Sequence, residues 1–370
     1  MKIICDRSAL VELLNIVSGV IVARTPKPIL RCVMLAAEAD GLTLAATDLE
    51  MSIRISTPRV EVEQAGQVLV PCEKLVQIVR ESPESTLSLQ VDDQVVHIRG
   101  QDAHFQVYGQ SASDFPPVAE FSGECDFKIS AGQFGKLIGQ TLFAAARETS
   151  RYAMNGVLLE REGDKLAMVG TDGRRLALSR GSCTVAGQAP EDGRHTAIVP
   201  TKALGLLQRQ FVDTDRQVQV RVADNMIYFA TDETVLASNL VEGNFPPYKD
   251  VVPKDSDRRA TLNTVVFARA LRRAALLTNE ESKGVQMAFD AEGLLITSRA
   301  PEMGEAEVRA EQVSYDGEPI QIGFNPQFVL DALKVVESDQ VVFEMKASNK
   351  PGLLRVGSAF VYVIMPVNLQ

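Results

Sequence analysis

Two Thr-Asp pairs, Thr47-Asp48 and Thr171-Asp172, stand at the ends of apolar runs, where a pair of carboxylates could act as general acid and base. The residues around them suggest a simpler role. TDLEMSIR and TDGRRLAL each lead from the pair into another apolar stretch, as expected of an Asp that turns the chain by accepting hydrogen bonds from its own backbone. His97, His104 and His195 fall in strand or loop segments without the helical i,i+4 spacing of a metal site, so no metal is expected. Cys5, Cys32, Cys72, Cys125 and Cys183 are odd in number, scattered and without a CxxC pair, which reads as reduced core thiols rather than disulfides or a zinc site. GxxxxGK[ST], HExxH and GxSxG are all absent, and no cofactor is expected.

The elements that must position any site come in three registers. VLVPCEKLVQIVRESP, AIVPTKALGLLQRQF and IQIGFNPQFVLDALKVV each read as a short apolar strand, a breaker and an amphipathic helix. Alternating strands broken by hairpin residues follow each one, as in TLSLQVDDQVVHIRG and QVQVRVADNMIYFA. Each block closes on a proline corner: Phe115-Pro116-Pro117, Phe245-Pro246-Pro247 and Met365-Pro366. The first half of each block repeats as well, with a helix over 8–24, 131–151 or 264–283 ahead of further apolar strands. The reading is α+β, with three similar domains over 1–123, 124–256 and 257–370, each holding two helices on antiparallel sheet.

At 370 residues and 45% apolar content, the chain is long enough for several cores. Asp6, Arg7, Glu12 and Asn15 interrupt any signal-peptide apolar core near the start, and a cytoplasmic location is expected. The net charge of −10 argues at first sight against a polyanionic partner. Its distribution argues the other way. Six helical windows, the three above with 72–81, 201–211 and 326–336, carry thirteen bases and seven acids, a net +6 that leaves −16 for the remainder.

With MKI at the start, TDLEM at Thr47, RYAMNG at Arg151, TDGRRLAL at Thr171, NFPPY at Asn244, GFNPQFVLD at Gly323 and YVIMPVNL at the end, the chain resembles the bacterial DNA polymerase III beta subunit, the sliding-clamp family. The resemblance runs from Met1 to Leu369. It implies a DNA-clamp fold that closes as a ring in a head-to-tail homodimer, and a non-catalytic processivity factor that encircles duplex DNA without base specificity. Expected partners are DNA, the replicative polymerase subunit, the clamp loader and other proteins carrying a clamp-binding peptide.

The resemblance places DNA contacts at Arg24, Tyr152 and Ala153; charge adds Arg80, Arg147, Lys202 and Arg209. It maps a partner-peptide groove to Met154, Thr171, Gly173, Arg174, Arg175, Leu176, Pro246, Val251, Asn325, Phe328, Val363, Ile364, Met365, Pro366 and Val367. A dimer contact is expected between Leu75, Val76 and Ile78 and the segment at Leu276 and Leu277, with Arg99 facing Glu302, Glu305 or Glu307. Departures from the family pattern are Arg174 in place of His, Asp250 in place of Arg, and Glu148 beside the expected DNA contact. Two alternatives stay open: a nucleotide-directed enzyme using Asp48 and Asp172, and a scaffold that binds proteins only.

Overall fold

In the computed structural model, which describes residues 1–146, 153–187, 194–210, 214–278 and 284–369, each repeat twice runs a strand into a helix, directly or across one residue. Lys2–Asp6 leads into α1 (Arg7–Val17) and Gly66–Pro71 into α2 (Cys72–Glu81). Phe127–Ser130 leads into α3 (Ala131–Gly139) and Arg194–Pro200 into α4 (Thr201–Gln208). Arg258–Asn263 leads into α5 (Thr264–Ala274), and Ile320–Phe324 into α6 (Pro326–Lys334). Short polar side chains cap several of these junctions by satisfying amides that the helix leaves unpaired. Asp6 accepts from the Ala9 N–H at 2.8 Å, and Asn263 accepts from Val265 and Val266 at 3.1 and 3.0 Å. Asn325 accepts from Gln327 at 2.9 Å, with Pro326 ready-shaped for the first helical position.

The expected window 72–81 coincides with α2, but the other helices stop short. Ser18-Gly19 follows the last residue of α1, and α3 ends on Gly139, because glycine costs about 1 kcal/mol in a helix relative to alanine. Single 3-10 turns, Leu142–Ala144 and Ala275–Leu277, take over after α3 and α5. Arg24 and Arg209 therefore lie beyond the ends of α1 and α4 rather than within them. The charge asymmetry survives this shortening. The observed helices hold nine bases and four acids, a net +5, which leaves −15 for the remainder of the −10 chain.

The chain forms two compact units: Met1–Gly132 with Thr184–Ala189 and Lys202–Leu240, and Gln133–Cys183 with Pro190–Thr201 and Val241–Gln370. The second repeat is thus divided between them. In the first unit, Thr234–Asn239 of the second repeat pairs with Met51–Thr57 of the first, Leu236 opposite Ile53, to make a nine-stranded sheet. A five-stranded sheet beside it ends in the open edge strand His104–Tyr108. In the second unit, Arg175–Ser182 pairs with Phe360–Ile364 of the third repeat, Leu176 opposite Val363, again within nine strands. The four-stranded sheet of that unit ends in Gly304–Ala310 on one side and Ile320–Phe324 on the other.

Each sheet buries its apolar face under helices. Leu10, Leu13, Leu14 and Val17 of α1 turn inward as the 3.6-residue period requires, and α1 packs on α2 and on strands Gly41–Thr47 and Met51–Thr57. In the second unit Phe343 is fully buried, stacked on Phe289 at 5.8 Å and met edge-on by Phe324 at 5.5 Å and Phe267 at 6.3 Å. Gly352 makes room for this cluster: a Cβ there would lie 2.6 Å from the Phe324 ring. Replacing Phe343 with Ala should cost about 3–5 kcal/mol through lost burial and the cavity left behind. Denaturant unfolding reads this directly, and a loss under about 1 kcal/mol would show that the ring cluster is not the core of its unit.

Candidate functional site

Both Thr-Asp pairs build the same turn. Asp48 Oδ1 accepts from the N–H groups of Glu50 and Met51 at 3.0 and 2.7 Å, and Asp172 Oδ1 accepts from Arg174 and Arg175 at 3.0 Å each. Thr47 Oγ1 donates to the Met51 carbonyl at 3.0 Å, and Thr171 Oγ1 to that of Arg175 at 2.6 Å. Leu49 and Gly173 occupy the matching left-handed position with φ of +78° and +83°, which a glycine adopts without strain and a leucine does not. The carboxylates are engaged in shaping the chain, which takes away the acid–base pair that the enzyme reading needs.

In the second unit the turn presents Arg175 to a ring of partners. Its Nε donates to Asp172 Oδ2 at 3.0 Å, Nη1 to Asp331 Oδ2 at 2.8 Å and Nη2 to the Phe143 carbonyl at 2.9 Å. The guanidinium also lies 4.6 Å over the Phe328 ring and 5.6 Å from that of Phe143. Asn325 caps the helix that carries Phe328 and Asp331, so Thr171, Asp172, Arg175, Asn325 and Phe328 form one braced constellation. The Tyr362 hydroxyl adds a bond to the Phe328 carbonyl at 3.0 Å.

Beside it, Leu176 and Val363 pack with Tyr248, Leu178 and Val361 in an apolar cluster, flanked by half-buried Phe245 and Val252. Val251 and Met365 leave 42% and 41% of their surface exposed. Met154, Pro246, Pro366 and Val367 are half-buried, while Gly173, Arg174 and Asp250 are exposed. Ile364 is a correction. Successive strand residues point to opposite faces, so Ile364 turns away from Val363 into the third-repeat core and is fully buried there.

The strand ends at Ile364, as Pro366 requires, and the tail is then tied down at two points. The Met365 N–H donates to the Arg174 carbonyl and the Val367 N–H to that of Gly323, both at 2.9 Å. A Cβ on Gly323 would meet the Val367 carbonyl at 2.5 Å, so the tail lies directly on that glycine.

The basic residues divide. Arg24, Arg80 and Arg209 are exposed; Arg80 donates to Asn15, and Lys202 is tied to the Asp48 carboxylate, which offsets part of its charge. Ala153 is buried in the Leu176 cluster and cannot present its side chain to a ligand, which corrects its assignment. Arg147, Glu148 and Tyr152 lie outside the described residues. Arg269, Arg272 and Arg273 on α5 are exposed and form no ion pair among the described residues, a cluster that charge counting registered without assigning a role.

Of the expected dimer residues, Leu276 is 76% exposed, and Leu277, Val76 and Ile78 are half-buried. Leu75 is a correction: it faces inward one turn before Val79 and is fully buried in the chain's own core. The open edge strand also exposes two large side chains to which the sequence assigns no role, Phe105 at 40% exposure and Tyr108 at 77%. Alternation in HFQVY could have shown which face each takes, but only the sheet order shows that the strand is an edge.

Burial alone would raise the Asp331 carboxyl, but hydrogen bonds from Arg175, Gln327 and Lys334 outweigh it and hold the group below the ordinary Asp value. A depressed carboxyl stabilises the fold above the unfolded-state value, near pH 4, and that contribution is lost as pH falls through the folded value. Asp331→Asn should therefore destabilise the protein at neutral pH and flatten its loss of stability below about pH 4. Urea midpoints from pH 2.5 to 7 test this; parallel curves for the two proteins would remove Asp331 from the brace.

Comparison with known proteins places these features in a family. Residues 1–119, 128–247 and 249–368 match, in order, the N-terminal, central and C-terminal domains of the DNA polymerase III beta subunit. The beta sliding clamp of Pseudomonas aeruginosa is 34% identical over 372 residues and that of Escherichia coli K12 is 32% identical over 374, each covering 100% of both chains. Among solved structures, the Bacillus subtilis DNA polymerase sliding clamp superposes with a TM-score of 0.93 at 28% identity. A P. aeruginosa sliding clamp bound to griselimycin superposes at 0.92 and 33%, and both structures are covered over their full length. With every domain matched in sequence order and no part of either relative left over, the chain belongs to the DNA polymerase III beta subunit family, the bacterial beta sliding clamps.

Proposed function

We propose that two copies of this chain close head to tail around duplex DNA and hold the replicative polymerase to it, a non-catalytic processivity role in the cytoplasm. The observation that carries this reading is the charge segregation: net +5 on the helices of a chain that is −10 overall. Helices of that charge attract phosphates at any sequence, as a sliding contact requires, while the acidic remainder discourages DNA elsewhere. Arg24, Arg80 and Arg209, with Arg269, Arg272 and Arg273, are the exposed guanidiniums on which we base the DNA contact; Lys202 contributes less because Asp48 is bound to it. We retain domain limits of 1–123, 124–256 and 257–370; Gly123, at φ +84°, supports the first of them as a turn.

The dimer reading rests on complementary open edges. His104–Tyr108 and Gly304–Ala310 each leave one row of backbone donors and acceptors unpaired, which a second subunit can satisfy. Arg99 and the histidines flank the first edge, and Glu302, Glu305 and Glu307 the second. Leu276 and Leu277 would then dock against Val76 and Ile78, with Phe105 at the seam. Substituting Leu276 and Leu277 with Lys should weaken dimerisation about 100-fold or more, since it buries unpaired charge in an apolar contact. Sedimentation at low micromolar concentration decides the point, and a variant that stays dimeric refutes the assignment.

The groove reading joins Leu176, Val363, Met365, Val251 and Pro246 with the polar points Thr171, Arg174, Arg175 and Asn325 as a site for a short, mainly apolar peptide carried by the polymerase, the clamp loader and other partners. Met365 suits a site that must accept several sequences. Deleting 365–370 should abolish binding of a polymerase C-terminal peptide while the dimer mass is unchanged. The melting temperature should fall by a few degrees because the tail no longer covers Gly323. Unchanged peptide affinity would remove the tail from the site, and loss of the dimer would make its role structural.

A further inference from the structure

Two charges of opposite sign flank the apolar cluster of the second unit without being used by it. Arg174 lies in the turn over 171–175, two residues before Leu176, and its carbonyl accepts the Met365 N–H at 2.9 Å. Asp250 closes the 3-10 turn Tyr248–Asp250 next to Val251, and Tyr248 packs in the cluster with Leu176 and Val363. Both residues are exposed, and among the described residues neither forms an ion pair. The charges around them are already committed. Arg175 is held by Asp172 and Asp331 at 3.0 and 2.8 Å, Lys334 by Asp331 at 3.3 Å, and Lys249 turns to Glu160 at 3.6 Å instead of to Asp250. Lys254 and Asp255, next along the chain, add no net charge. The elements that carry Arg174 and Asp250 are anchored apart. The Tyr248 hydroxyl donates to Glu160, and the row across the sheet from Glu160 runs through Ala167 to Arg180, about 20 Å of extended chain from Arg174.

We propose that the groove selects partner peptides by charge order, taking a segment with an acidic residue on one side of its apolar core, against Arg174, and a basic residue on the other, against Asp250. This inference rests on the groove reading above. Apolar contact supplies most of the affinity, since exposed ion pairs each add little, but two fixed charges of opposite sign meet the reverse order with like-charge repulsion at both points. The two departures from the family pattern act together here: Arg174 adds positive charge beside the tail, and Asp250 replaces it with negative charge at the corner.

Fluorescence anisotropy with two labelled peptides of identical composition tests the proposal. Each keeps the apolar core of a polymerase C-terminal peptide and is blocked at both ends; one carries Lys before the core and Asp after it, the other Asp before and Lys after. One order should bind the full-length protein about fivefold more tightly than the other, and the preference should fade in 1 M salt, where screening acts within about 3 Å. Arg174→Glu, which makes both points acidic, should abolish the preference, and Arg174→Glu combined with Asp250→Lys should reverse it. The peptides share one net charge, so general attraction produces neither result. Equal affinity of the parent for the two orders, or a preference that persists in the Arg174→Glu variant, would overturn charge selection while leaving the groove in place. Binding of neither peptide would overturn the groove reading and this inference together.

Discussion

Antiparallel pairing between repeats is the constraint on which the rest of the structure depends. Strand Thr234–Asn239 reaches from the second repeat to Met51–Thr57 of the first, and strand Arg175–Ser182 reaches from the second to Phe360–Ile364 of the third. Each seam buries a row of backbone hydrogen bonds that neither repeat could satisfy alone, and a one-residue slip would turn every apolar side chain to the wrong face. The second seam also sets the candidate groove. It places Leu176 opposite Val363, aims Arg175 at Asp331 and Phe328, and brings the tail to the Arg174 carbonyl.

The Arg175 brace shows how such a site stays fixed without rigid covalent links. Two carboxylates, a carbonyl and two aromatic rings converge on one planar cation, whose side chain is 12% exposed. Removing Arg175 would leave both carboxylates without their shared cation, which costs more than the pair contributes. The apolar floor beside it makes no such demands, which suits the peptide groove we propose there. Specific anchoring and tolerant packing therefore sit next to each other in one unit.

Much of this was legible in the sequence, for reasons tied to particular residues. The strand-to-helix junctions could be read because Asp6, Asn263, Asn325 and Pro326 carry local capping chemistry. The Thr-Asp turns were read correctly because their hydrogen bonds are made within four residues. The helices end earlier than the sequence predicts, since apolar spacing continues past Val17 and Ala274 after the helix has stopped. Leu75, Ala153 and Ile364 are buried where the sequence predicts contact residues, because burial depends on which neighbour covers a face, and no local pattern reports that. The edge strand with Phe105 depends on sheet order, which a search for helical spacing cannot find.

The central claim we propose is topological: two copies surround the DNA and are held on it by that link, and basic side chains only ease their approach and sliding. The direct measurement loads the protein with a clamp loader onto a nicked circular duplex, washes with salt high enough to strip it from linear duplex, and then cuts the circle. Counterion release governs a surface contact but not a link, so the account predicts retention through the wash and rapid loss on cutting. Salt release from circles at the same concentration as from linear DNA, or retention after the cut, would contradict it.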